Sequence, residues 1–165
     1  MAFTHTSVAE RIAYGRPLDP ALDDTIRVVE RPGTALLGRI ALSAIFVISG
    51  IAKLVDYEGT LGHMRGAGLP GPEVLLVMAA ITEILGGLSV MTGFLSRIGA
   101  IALIVFLIPA SLVFHAFWNF EGAERTMQMA SFMKNVGIAG GLLLLVAYGP
   151  GRYSVDALLR KPMQP

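Results

Sequence analysis

The sequence lacks cysteine altogether, and its 165 residues include only three histidines and one tryptophan. Without a thiol, the chain cannot by itself hold an iron–sulfur cluster, attach haem through thioethers or run a thiol–disulfide relay. His5, His63 and His115 lie in dissimilar segments, so a bis-histidine haem held by this chain alone is not expected. The sequence also has no glycine-rich nucleotide loop, Ser/His/Asp set or HExxH motif. We therefore predict no metal site and no cofactor held by this chain alone.

Charge is scarce as well. Charged residues make up 15% of the chain, hydrophobic residues 54%, and the net charge is +1. The mean hydropathy of +0.65 lies on the apolar side of soluble proteins. No stretch of dense positive charge stands out, so a nucleic-acid partner is not expected. These values predict an integral membrane protein.

Four apolar runs are close to the roughly 20 residues that a membrane-spanning helix needs. They are Thr34 to Leu54, Val74 to Thr92, Ile98 to Trp118, and Met127 to Tyr148. The predicted fold is all-α, a transmembrane four-helix bundle over residues 34–150, with a charged arm at 1–33 and a tail at 151–165. Short polar segments between the runs are typical of a compact bundle.

The arm is too charged for a secretory signal and is expected to stay in the mature chain. Ser7 and Glu10 have the spacing of a capping box. Leu22, Ile26 and Val29 form one apolar stripe, which predicts a short amphipathic helix. The arm either packs on its own bundle or docks a partner subunit.

Basic residues indicate the orientation, because Lys and Arg that flank spans are retained in the cytoplasm. With four spans, both termini share one side. Nine of the 13 basic residues fall there: Arg11, Arg16, Arg27, Arg31, Arg39, Arg97, Arg152, Arg160 and Lys161. We predict a multi-pass protein of the bacterial inner membrane with both termini in the cytoplasm.

Five polar residues interrupt or end the apolar runs: Lys53, Glu83, His115, Lys134 and Asn135. At 1.5 Å of rise per residue, all of them fall between the bilayer midplane and the outer surface. Such groups are expected to face the bundle interior and to pair, with Glu83 and Lys134 as the preferred ion pair. The network either fixes helix register or forms a ligand or proton-handling site, and His115 is alternatively an interfacial residue beside Trp118.

Small residues predict close helix packing, because membrane helices associate through close backbone approach. Gly86 and Gly87 follow Glu83 by one turn, and Gly137 with Gly141 forms a GxxxG pair on the fourth span. The pair serves packing within the bundle or an interface with a partner or a second copy.

Several motifs together carry a family resemblance. They are Arg39, Ser49-Gly50-Ile51-Ala52-Lys53-Leu54, Gly68-Leu69-Pro70, Glu83-Ile84-Leu85-Gly86-Gly87-Leu88, Gly93-Phe94-x-x-Arg97, His115, Phe132-Met133-Lys134-Asn135, Gly140-Gly141 and Gly149-Pro150-Gly151-Arg152-Tyr153-Ser154-Val155-Asp156. Their order and spacing over about residues 31–159 resemble the DoxX family. The resemblance implies a small four-span fold, a link to quinone-coupled or other redox enzymes, and the same five polar residues as the intramembrane positions.

Two classes of function follow. The first is an accessory or quinone-interacting subunit of a membrane oxidoreductase. In it, Glu83 and Lys134 would form a polar end for a quinone head group, and Phe114, Phe117 and Phe132 its apolar walls. The second is a non-redox membrane protein, which is either a structural subunit or a binder of a lipid or small hydrophobic ligand. The expected partners are the membrane and other membrane-protein subunits or a second copy. A non-catalytic role is favoured over an enzyme acting alone.

Overall fold

The computed structural model of the protein describes residues 32–160. The helices predicted within the arm at 1–33, and the end of the tail, lie outside the described residues. All regular structure in the described range is helical: α1 (Pro32–Val55), α2 (Tyr57–Gly66), α3 (Pro72–Thr92), α4 (Ser96–Phe114), a 3-10 turn (Phe117–Asn119), α5 (Gly122–Tyr148) and α6 (Val155–Leu159).

Four of these helices, α1, α3, α4 and α5, are long and apolar enough to cross a membrane. They contain 24, 21, 19 and 27 residues. Helices of this length are about 28 to 40 Å long, which matches the hydrocarbon core of a bilayer or exceeds it. The prediction of an all-α, four-span fold is confirmed.

The spanning helices pack in chain order, α1 against α3, α3 against α4, and α4 against α5. Helices α1 and α5 share few contacts. They meet in the half nearer residues 32 and 160, the termini of the described range, where a Cβ placed on Gly141 of α5 would lie 3.3 Å from Leu42 Cδ1 of α1. Around this contact, Phe46 of α1 and Leu142 of α5 are buried in one apolar cluster. The bundle is therefore closed near the termini.

Glycines set the distance between α1, α3 and α4. A Cβ on Gly50 would lie 3.0 Å from the Ala80 carbonyl oxygen, and one on Gly87 would lie 2.7 Å from Val47 Cγ2, so both sit where α1 crosses α3. Gly86 faces the other way, toward Leu103 of α4. Close contact without a side chain is what helix association in lipid requires.

The GxxxG glycines of the fourth span, Gly137 and Gly141, are packed less closely than Gly50, Gly86 and Gly87. No atom outside its own helix backbone lies within 4 Å of a Cβ placed on Gly137, and Gly141 contacts only Leu42. The two glycines share one face of α5, but only Gly141 comes close to α1, and the space beside Gly137 is open.

The segment between the first two spans, α1 and α3, contains the short helix α2. Asp56 starts α2 because its carboxylate accepts a hydrogen bond from the Gly59 amide at 3.2 Å. Leu61 and Met64 of α2 are buried against Leu76 near the start of α3. Helix α2 therefore lies over the end of the bundle that faces away from the termini.

The other end of the bundle is fastened by the beginning of the tail. The guanidinium of Arg39, which is buried in α1, donates to the carbonyls of Pro150 and Tyr153. The Asp156 carboxylate accepts from the backbone amide of Leu95 at 2.9 Å and from that of Ser96. The first part of the predicted tail is thus docked against the turn between α3 and α4, where it caps the N-terminus of α4.

Replacing Gly87 by Leu is expected to lower the free energy of unfolding by about 2 kcal/mol, because the new side chain would overlap Val47 at the crossing of α1 and α3. Gly137→Leu is the matched control, since its side chain would enter open space beside α5. The measurement is thermal and denaturant unfolding of the purified chain in mild detergent. Equal stability of the two variants would contradict the packing described above.

Candidate functional site

A cavity of about 870 Å³ lies in the half of the bundle away from the termini, and we call it the main cavity. Its volume falls within the range of small-molecule sites in proteins. Helices α1 to α5 all contribute to the wall, which is mostly apolar. The polar and charged side chains predicted from sequence, Lys53, Glu83, His115, Lys134 and Asn135, all line it.

A carboxylate, an ammonium group and a hydroxyl meet where α1 crosses α3. Lys53 Nζ lies 2.7 Å from Glu83 Oε2 and forms an ion pair with it. Ser49 Oγ donates to Glu83 Oε1 at 3.0 Å, and Lys53 Nζ donates to Ser49 Oγ at 2.7 Å. Glu83 is 4% exposed. We call these three residues the Lys53–Ser49–Glu83 group.

Local sequence explains this group. Ser49 and Lys53 are four residues apart on α1 and therefore share one helix face. Gly50, between them, lets α1 approach α3, and a Cβ there would lie 3.1 Å from Glu83 Cβ. The close crossing removes water from the carboxylate, and the ammonium and hydroxyl groups compensate for that loss.

The predicted ion pair between Glu83 and Lys134 is wrong. Glu83 pairs with Lys53, because α3 packs directly on α1, whereas α5 packs on α4. Lys134 lines the cavity from α5 with an exposed side chain, and no carboxylate between residues 32 and 160 forms an ion pair with it.

His115 and Asn135 form separate links between α4 and α5. His115 Nδ1 lies 2.9 Å from Gln128 Oε1, and the Asn135 amide donates to Ser111 Oγ at 3.0 Å. The five predicted residues thus share one cavity but do not form one connected network. Sequence reasoning missed Gln128 and Ser111. The sequence alone could have indicated these two residues only as polar side chains placed opposite another polar residue on the neighbouring span.

The mouth of the cavity has an aromatic contact that the sequence did not indicate. The ring of His63, on α2, stacks on Phe114 with centroids 5.3 Å apart and an interplanar angle of 21°. Phe114 lines the main cavity as predicted for an apolar wall, but Phe117 and Phe132 do not. They pack edge to face on each other and on Trp118, at centroid distances of 5.2 to 6.0 Å.

The arrangement combines an apolar volume with hydrogen-bond donors at one end. Lys53 has three N–H groups, of which one is donated to Ser49 and at most one other can face the Glu83 carboxylate, so at least one remains for a ligand. Within residues 32–160, no group of three or more His, Asp or Glu side chains is arranged to hold a metal ion. The geometry fits an amphipathic organic ligand.

Comparison with known proteins identifies one family and several relatives of the chain. The family model described as DoxX matches residues 34–116. Inner membrane protein YqjF of Escherichia coli (strain K12) is 39% identical over 127 residues, which cover 76% of this chain and 92% of that protein. Inner membrane protein YphA of the same organism is 34% identical over 126 residues, covering 76% and 90%. A Surfeit locus protein 4 homolog of Schizosaccharomyces pombe is 31% identical, over 67% of this chain and 36% of its own length. No solved structure matches the chain significantly.

Glu83→Gln is expected to lower the free energy of unfolding by about 3 kcal/mol, because the Lys53 ammonium would lose its counter-charge in a poorly solvated site. Glu73→Gln is the control, since it breaks the Arg65–Glu73 pair, whose side chains are 57% and 50% exposed. Unfolding in mild detergent measures both.

The double variant Lys53→Met/Glu83→Gln should recover part of the loss, because it removes the charge that the single variant leaves unpaired. If Glu83→Gln and Glu73→Gln were equally stable, the Lys53–Ser49–Glu83 group would not hold α1 to α3.

Proposed function

Because the chain belongs to the DoxX family of integral membrane proteins, we propose that it is an accessory, quinone-interacting subunit of a membrane oxidoreductase. The main cavity would bind the quinone, and the oxidoreductase activity would reside in a partner. The proposed location is a bacterial inner membrane, as the names of the Escherichia coli relatives state for those proteins. Both termini are proposed to be cytoplasmic on the basis of the basic residues on that side.

The observation that carries the proposal is the shape and polarity of the main cavity. An apolar volume of about 870 Å³ ends at the Lys53–Ser49–Glu83 group, inside a bundle that would lie in lipid. A quinone has matching parts, since its isoprenoid chain is apolar and its ring carries two carbonyl oxygens. The remaining N–H of Lys53 supports binding of one carbonyl oxygen, and Phe114 supplies an aromatic wall.

The proposed role is accessory because reduction of a quinone needs an electron donor. The chain has no cysteine, and of the histidines within residues 32–160, His63 lines the cavity from α2 and His115 lines it just beyond the end of α4. A partner subunit would therefore deliver the electrons, and this chain would hold and position the quinone. A helix face suited to such a partner is available on α5, where Met129, Met133, Val136 and Gly137 are exposed.

The closest competing function is that of a non-redox protein that binds a lipid or another small hydrophobic ligand in the same cavity, or that stabilises a larger assembly. The two readings differ in what is bound and in what accompanies the chain. One purification, which identifies the bound molecule and the accompanying subunits, distinguishes the two functions.

The native chain, purified in mild detergent and extracted with organic solvent, is expected to yield a quinone close to one per chain, together with stoichiometric redox subunits. Mass spectrometry identifies both. Ala110→Phe should weaken quinone binding, because Ala110 lines the cavity and a phenyl ring there would occupy part of the space that the quinone needs.

Ala147→Phe is the matched control, since Ala147 is exposed on α5 near the termini and should leave the bound quinone unchanged. Recovery of a lone chain that carries only bulk lipid would overturn the quinone role. A specific lipid, retained by the control and lost in Ala110→Phe, would replace it by the non-redox reading.

A further inference from the structure

The charges that line the main cavity do not balance. Lys53, Glu83 and Lys134 are its Asp, Glu, Lys and Arg residues, which gives two positive groups and one negative group. Glu83 is already engaged by Lys53 and Ser49. The positive charge of Lys134 therefore has no counter-charge among the residues that line this mostly apolar cavity.

The depth of Lys134 makes this imbalance costly. Lys134 is seven residues beyond Met127, where the apolar part of α5 begins, which is about 10 Å along the axis. An ammonium group at this depth costs several kcal/mol unless a counter-charge, water or the bilayer surface compensates it. A lysine can reach the bilayer surface by extending its chain, but Lys134 lines the main cavity, so its exposed side chain is accessible to a ligand there.

No neighbouring element supplies a counter-charge in the part of the chain that the structure describes. The carboxylate of α3 is taken by Lys53, and the amide of Asn135, beside Lys134, donates to Ser111 of α4. Glu73, at the start of α3, pairs with Arg65. His115, which follows α4, contacts Gln128 of α5. Lys134 and the remaining N–H of Lys53 thus both point to a ligand that brings its own negative oxygen.

We propose that the main cavity selects ligands whose head group carries an anionic oxygen, bound by Lys134 and assisted by Lys53, with the alkyl or isoprenoid chain in the apolar part. A long-chain carboxylate has this chemistry, and so does an acidic hydroxyquinone in its deprotonated form. The inference rests on the proposed function to the extent that both place the ligand in the same cavity. It adds the charge of the head group.

Two pairs of probes, each differing only in charge, test this inference. The first is a labelled C16 carboxylate and the C16 alcohol. The second is an alkylated hydroxynaphthoquinone and its methyl ether. Equilibrium binding to the full-length chain, in nanodiscs of zwitterionic lipid at neutral pH, should favour the anionic member of at least one pair by about tenfold, as expected for one charge-assisted hydrogen bond.

Lys134→Gln should abolish the preference for the anionic probe, and Lys134→Arg should retain it, because arginine keeps the charge. Arg125→Gln is the control, since it makes the same change of charge on an exposed position of α5 outside the cavity. Thermal unfolding shows whether each variant is folded.

The outcomes separate this inference from the proposed function. Equal binding of the neutral and anionic quinones would leave the quinone role standing and overturn the charge preference. Binding of the carboxylate alone would support the charge preference and contradict the quinone role. A preference that survives Lys134→Gln would overturn the assignment of Lys134, and failure of every probe to bind would overturn both proposals.

Discussion

The contact between Glu83 and Lys53 is the constraint on which the site depends. A carboxylate that is 4% exposed, in a bundle that lies in lipid, is tolerated only if a cation and a donor reach it. Both come from α1, as Lys53 and Ser49, and Gly50 allows α1 to approach α3 closely enough for them to do so. The register of α1 on α3 is therefore tied to a polar contact as well as to apolar packing, and the position of the cavity follows from that register.

The two ends of the bundle are built for different tasks. Near the termini, Arg39 holds the carbonyls of Pro150 and Tyr153, and Asp156 caps the start of α4, so backbone polar groups are satisfied and the helices are closed around an apolar cluster. At the opposite end, α1 and α5 no longer meet, and the space between the helices remains open as the main cavity. A firmly fastened end is what allows the other end to stay open without loss of the fold.

The sequence predicted the fold well and the pairing within the site less well, and the reason is physical. Run length and hydropathy determine that a segment spans a bilayer, so the four spans could be predicted without knowledge of their neighbours. Depth along each helix also placed Lys53, Glu83, His115, Lys134 and Asn135 in one half of the bundle. Which residues pair depends on which helices are adjacent and on how each helix is rotated about its axis. The depth of a residue along its helix gives no information about either. The choice of Lys134 over Lys53 as the partner of Glu83 was wrong for that reason.

The order in which the helices pack also determines which interactions the remaining polar residues can form. Because α5 packs on α4, its Gln128 and Asn135 connect these two helices through His115 and Ser111, and of the two only Asn135 also lines the cavity. Lys134 lies on the same helix but has no such partner within residues 32–160. A polar group that stabilises the fold has its interactions satisfied by the protein, whereas a group that binds a ligand must keep one unsatisfied. By this criterion, Lys134 and the remaining N–H of Lys53 are the groups available to the proposed ligand, whereas Ser49, Glu83 and Asn135 serve the fold.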